Sequence, residues 1–124
     1  MPSIAVSRRT ILTFALTVAA RPRLALAAIA IEGDWVGEDD KRRVVRLTIL
    51  SGKVVFFCAT SDNRPGGLDR AAVRILRAKF ARDGRGVDIV FDGGRVKARL
   101  NGDWLRGAIW DSLGETAFSV SLIQ

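Results

Sequence analysis

Beyond residue 33 the chain is divided by turn-forming steps at intervals too short for a succession of ordinary helices. Ser51-Gly52, Asp83-Gly84, Asp92-Gly93-Gly94, Asn101-Gly102-Asp103 and Leu113-Gly114 are the clearest, with Glu38-Asp39-Asp40 and residues 63–67 as longer versions. Asp-Gly and Asn-Gly steps supply the positive φ angles that tight hairpins require. Between them the apolar residues alternate. Val45, Leu47 and Ile49 point one way and Arg46 and Thr48 the other. Val87, Ile89 and Phe91 form another such set, then Val96, Ala98 and Leu100, then Phe118, Val120 and Leu122. A period of two, with one dry face and one wet face, is the pattern of antiparallel strands over a core. With residues 33–38, 53–60 and 104–111 added, the reading is all-β: an antiparallel up-and-down meander of about seven or eight strands, closing into a small barrel or bent sheet.

Two segments resist the pattern. Residues 53–60 are apolar on both faces, with Val54, Phe56 and Cys58 opposite Val55, Phe57 and Ala59. A helix, a loop or another subunit is therefore expected to cover the outer face. Residues 68–82 carry Leu68, Ala72, Ile75, Leu76 and Phe80 at helical spacing. A helix near 68–82 would make the class α+β, whereas a strand in its second half would hairpin through Asp83-Gly84 onto residues 87–91. The second half is read as strand.

The opening of the chain belongs to a different kind of argument. Ser7-Arg8-Arg9-Thr10-Ile11-Leu12 precedes an uncharged run ending at Ala20, then Arg21-Pro22-Arg23 and the small-x-small triplet Ala25-Leu26-Ala27. The run spans about half of the ~20 residues a bilayer crossing needs. The pattern resembles a twin-arginine export signal with Arg8 and Arg9 as its pair. An ordinary secretory signal and a mitochondrial presequence are the alternatives. The division expected is an export signal over residues 1–27 and one β domain over 28–124, periplasmic or secreted and not integral to the membrane once cleaved.

Removing that segment changes the electrostatics. The chain has 20 Lys+Arg and 13 Asp+Glu, and four of the bases but none of the acids precede Ala28, leaving 16 − 13 = +3. The argument for a nucleic-acid partner falls accordingly. Cys58 is alone, so no internal disulfide forms and the apolar core must hold the domain.

Gly-Asp-Trp occurs twice, as Gly33-Asp34-Trp35, continuing to Gly37, and as Gly102-Asp103-Trp104, continuing through Gly107 to Trp110. A Gly-x-Trp on the first strand resembles the lipocalin superfamily, where the tryptophan plugs the closed end of an antiparallel barrel. The later Leu105-Arg106-Gly107 strand and the alternating end resemble small exported lipocalin-like domains of bacteria. Such a resemblance implies a non-catalytic binding domain for a small apolar ligand or a protein partner. The chain departs from lipocalins in its shortness and in lacking an arginine on the last strand to stack on Trp35.

The absence of histidine removes the Ser–His and Cys–His relays and the commonest general base. Soft-metal ligands reduce to Cys58 in the domain, so no catalytic residue, cofactor or metal site is assigned. The acidic Glu38-Asp39-Asp40 step reads as a solvated turn rather than a cation site, and Cys58 as a buried neutral thiol. Candidate binding residues are Trp35, Trp104 and Trp110, together with Arg95, Lys97 and Arg99 on one face of one strand, where Arg74, Arg77 and Arg82 are possible neighbours. The expected function is an exported binding domain. The alternatives are an accessory or structural subunit, with a homodimer among its forms, and a protease-inhibitor-like envelope protein.

Overall fold

The computed structural model describes residues 28–123, so the export signal assigned to residues 1–27 lies outside the described residues. A 3-10 turn, Ala28–Ile31, leads into eight strands: β1 Gly33–Asp39, β2 Val44–Leu50, β3 Lys53–Thr60, β4 Ile75–Phe80, β5 Gly86–Phe91, β6 Gly94–Asn101, β7 Trp104–Asp111 and β8 Gly114–Leu122. They form one antiparallel up-and-down sheet in the order β3-β2-β1-β8-β7-β6-β5-β4, a nearly closed barrel. Every sequential pair is hydrogen-bonded except β3 with β4. The first and last strands close the circle, with Gly37 opposite Val120. All-β is thus the class of the domain.

The hairpins follow from local chemistry. At Asn101-Gly102, for instance, the glycine takes φ 63°, which lets β6 turn into β7 in the fewest residues. Alternation then divides the strands between two faces as expected. Val45, Leu47, Ile49, Ile89, Val96, Leu105, Ile109 and Val120 are all fully buried, joined in one core by Trp35, Phe57, Phe91 and Phe118. With bulky rings at its centre, the barrel is packed by its own side chains, which an eight-stranded barrel is just wide enough to allow.

At two glycines inside the strands the neighbouring backbone comes unusually close. A Cβ on Gly107 would overlap the carbonyl oxygen of Lys97 on β6, and one on Gly37 the carbonyl oxygen of Ser119 on β8. The neighbouring backbone stands where a side chain would be, so only glycine fits at these two places.

The seam between β3 and β4 is held by the Val73 N–H, which donates to the Phe57 carbonyl at 3.0 Å. Both edge strands carry an irregularity in register, between Thr48 and Ile49 on the β2–β3 ladder and between Ile75 and Arg77 on the β4–β5 ladder. The supernumerary residues, Val55 and Leu76, are left about half exposed, at 52% and 55%. Bulges of this kind twist an edge and obstruct further strand addition.

The segment 68–82 combines both expectations. A single helical turn, α1 (Gly67–Arg70), opens it, and β4 occupies the second half. The helix-length reading of 68–82, and with it the α+β class, is not what forms. Residues 61–74 supply the cover for β3: Cys58 faces outward opposite Arg46 yet is fully buried, with α1 alongside.

Candidate functional site

The cross-strand registers place the outward residues in rows. Lys79, Asp88, Lys97 and Ala108 lie abreast across β4, β5, β6 and β7. On one side runs Arg77, Val90, Arg95, Trp110 and Glu115; on the other, Gly86, Arg99, Arg106 and Ser119. Small residues at Gly86 and Ala108 leave a depression between long neighbours. The result is a groove of about 610 Å³ on the outer face, lined among others by Lys79, Lys97, Arg99, Arg106, Trp110 and Glu115.

The charges in this groove are unevenly committed. Asp88 accepts from Arg95 Nε at 3.0 Å and from its terminal nitrogen at 2.7 Å. That bidentate contact, helped by Lys97 and Arg77, holds the Asp88 carboxyl below the usual carboxylate range. Arg99 pairs with Asp83 in the β4–β5 turn. Lys79, Lys97 and Arg106 make no ion pair among the described residues. Trp110 is 36% exposed, with the Arg95 guanidinium 5.9 Å from its ring centre. Aromatic surface beside free cations suits an anionic ligand with some apolar body.

Of the residues singled out from the sequence, Arg95, Lys97, Arg99 and Trp110 come together here. Trp104 stands at the far end of β7, with Arg106 5.8 Å from its ring centre. Trp35 lies elsewhere. It is 4% exposed, and its Nε1–H donates to the Ile31 carbonyl at 3.0 Å, so the ring pins the 3-10 turn across one end of the barrel. Arg77 shares the row of Arg95, whereas Arg74 and Arg82 lie beyond the two ends of β4. Lys79 and Arg106 went unread as groove residues. Arg106 was available from alternation on β7; Lys79 was hidden by the mixed signal of 68–82.

The acidic turn differs from its expected form. Asp39 is buried rather than solvated. Its Oδ1 accepts the backbone N–H of Lys41 at 3.0 Å and of Arg43 at 2.9 Å, and its Oδ2 accepts Arg43 Nε at 2.6 Å. Arg43 also donates to Asp111 at 2.8 Å and to the buried Thr116 hydroxyl at 3.3 Å. Burial pushes the Asp39 carboxyl up, but the donors from Arg43 and Lys41 outweigh it, and the group titrates below its ordinary value. The cluster ties the β1–β2 turn to β7 and β8. Among the described residues no group of three or more His, Cys, Asp or Glu is placed to hold a metal ion.

Cys58 is the other buried reactive group. Burial raises its pKa and outweighs the N–H of Arg46, which favours the thiolate. Asp34 is occupied by Arg46 and by the Thr48 hydroxyl, which donates to it at 2.8 Å. The Arg46 bond chiefly, against partial burial, lowers its pKa.

Comparison with family models, with curated proteins and with solved structures gives no match. The functional reading therefore rests on the geometry of the chain.

Proposed function

We propose that this chain is an exported, non-catalytic binding domain of lipocalin-like build, acting in the periplasm or outside the cell. Its ligand is an acidic segment of a protein partner, held on the outer face of β4 to β7. The observation that carries this reading is the groove itself. Lys79, Lys97 and Arg106 line it without ion pairs among the described residues, and Trp110 offers a partly exposed ring beside them. Unpaired cations around an aromatic surface attract and orient an anionic chain, and complementarity of this kind sets on-rate and specificity. A small apolar ligand inside the barrel has less support, because Trp35, Phe57, Phe91 and Phe118 occupy the interior. The accessory-subunit reading expected the outer face of β3 to be covered by another protein. It has less support, because the chain's own helical turn α1 lies against β3, where Cys58 is fully buried.

The test is anisotropy of a labelled glutamate-rich peptide titrated with the protein. Binding that weakens with salt, and falls at least about tenfold in Lys97→Glu/Arg106→Glu, is expected, since each charge reversal replaces attraction by repulsion. A peptide that does not bind, or binds the variant equally, overturns the reading. Export is tested separately: with Arg8 and Arg9 replaced by lysine, the precursor should accumulate inside the cell.

A further inference from the structure

Strand directions sort the turns into two ends. One end carries the chain entry before β1, the β2–β3, β4–β5 and β6–β7 turns, and the close of β8. The other carries the β1–β2, β5–β6 and β7–β8 turns and the β3–β4 connection. Five of the eight exposed large apolar side chains of the described residues, Leu50, Val55, Trp104, Leu122 and Ile123, belong to the chain-entry end. They form an arc of this rim on β3, β2, β8 and β7; β1, between β2 and β8, carries none of them, and the Leu122 side chain lies over its Gly33. The Ile123 N–H donates to the Asp34 carbonyl at 2.8 Å, which holds the end of the chain against the start of β1 within that arc.

Charge is distributed to match. Lys53 lies opposite Leu50 and Arg106 over Trp104, while Arg82 and Arg85 stand in the β4–β5 turn at the same end; none is in an ion pair among the described residues. Of the acids at this end, Asp83 is paired with Arg99, Asp34 with Arg46, and Glu32 accepts the Ser51 N–H; Asp103, beside Trp104, is exposed and makes no ion pair among the described residues, leaving the four bases in excess. Asp39, Asp40, Asp62, Asp69, Asp92, Asp111 and Glu115 lie towards the opposite end, where Arg43, Arg64 and Arg70 pair with Asp39, Asp111 and Asp62 and Lys41, Arg42 and Arg74 are also found. The indole of Trp104, 41% exposed and flanked by Arg106, has the amphipathic character of rings found at headgroup depth.

We propose that the chain-entry end of the barrel docks on the surface of a bilayer carrying anionic lipids, with Leu50, Val55, Trp104, Leu122 and Ile123 entering the headgroup layer. Apolar area and basic charge act together in peripheral membrane binding, so neither alone should suffice. The docked orientation points the opposite, acid-bearing end away from the bilayer and leaves the sides of the barrel free. The inference does not rest on the groove reading: of the residues it uses, Arg106 alone also lines the groove.

The test is co-sedimentation of the protein isolated from its own cells, with the N-terminus it carries there. The vesicles are phosphatidylglycerol mixed equally with phosphatidylcholine, against phosphatidylcholine alone. Expected are binding to the anionic vesicles at low salt, a blue shift of tryptophan emission, and at least a tenfold loss of partition in Leu50→Glu/Ile123→Glu. Lys53→Glu/Arg85→Glu, which leaves the apolar arc intact, should lose partition on the anionic vesicles alone. Lys97→Glu should leave partition unchanged while weakening the acidic peptide, which separates the two surfaces. Partition equal in the parent and both double variants overturns the proposal. So does a parent that binds no vesicle, and a dimer broken by Leu50→Glu/Ile123→Glu would then assign the arc to a second copy of this chain.

Discussion

Arginine is used in two opposed ways at the two ends of β7. At Asp111 the strand meets Arg43, whose guanidinium is spread over Asp39, Asp111 and Thr116 and shielded from water. At Trp104 and Arg106 the guanidinium stands in solvent over an exposed ring and makes no ion pair among the described residues. The same side chain is a brace in the first place and an unused attachment point in the second. The difference lies in what the register puts opposite. Around Arg43, two carboxylates and a hydroxyl converge from β1, β7 and β8. Around Arg106, the cross-strand partners are Arg99 and Ser119. A fold that needed Arg106 for stability would have given it a carboxylate.

The brace is where the largest effect is expected. Arg43→Ala leaves Asp39 and Asp111 without their cation, and breaking a buried pair from one side costs about 3–5 kcal/mol. Urea denaturation should show that loss at neutral pH, and a change below about 1 kcal/mol would mean the cluster is wetter than its burial indicates. The pH dependence follows in sign. Asp39 titrates lower in the folded protein than in the unfolded chain, so its contribution is fully present above the unfolded pKa of about 4 and is lost as pH falls through the folded value. The parent should therefore lose stability below about pH 4. In Asp39→Asn, which removes the titrating group, that part of the acid slope should flatten.

Gly107→Ala should cost less but still be plain, on the order of 1–3 kcal/mol, because β6 must move away from a Cβ that overlaps the Lys97 carbonyl. The same substitution bears on the groove, since Gly107 lies between Arg106 and Ala108. If thermal melting falls and peptide affinity falls with it, this close approach holds the groove in shape. If only stability falls, the groove tolerates the shift.

Most of this architecture was readable from alternation and turn chemistry, because both act locally. A strand such as β6 states its faces in its own residues, Val96, Ala98 and Leu100 against Arg95, Lys97 and Arg99. Three things were not local. The switch from α1 to β4 depends on residues 61–74 lying over β3, which no period reveals. The burial of Asp39 depends on Asp111 and Thr116, more than seventy residues away, so the acidic turn reads as solvated until β8 pairs with β1. The groove depends on which rows come abreast, and register across four strands joins Lys79 to Lys97 although β4 gave only a blurred signal. Trp35 illustrates the opposite case. Its Gly-x-Trp setting marks it, and its place in the core explains it without any ligand.

The smallest effect is also the most discriminating. If the outer-face cations of β6 and β7 are held for a partner, removing them should hardly disturb the fold. Lys97→Ala and Arg106→Ala, both exposed and without ion pairs among the described residues, should each change unfolding free energy by less than about 0.5 kcal/mol. A small gain is physically reasonable, because Lys79, Lys97, Arg99 and Arg106 stand on one face and repel one another, and relieving like charges on neighbouring strands is favourable. Urea denaturation of the two single variants beside Arg43→Ala makes the comparison directly. A loss above about 1 kcal/mol at Lys97 or Arg106 would show that these cations brace the sheet as Arg43 does. The contrast between the two uses of positive charge would then disappear, and the groove would lose its claim to be a surface kept open for binding.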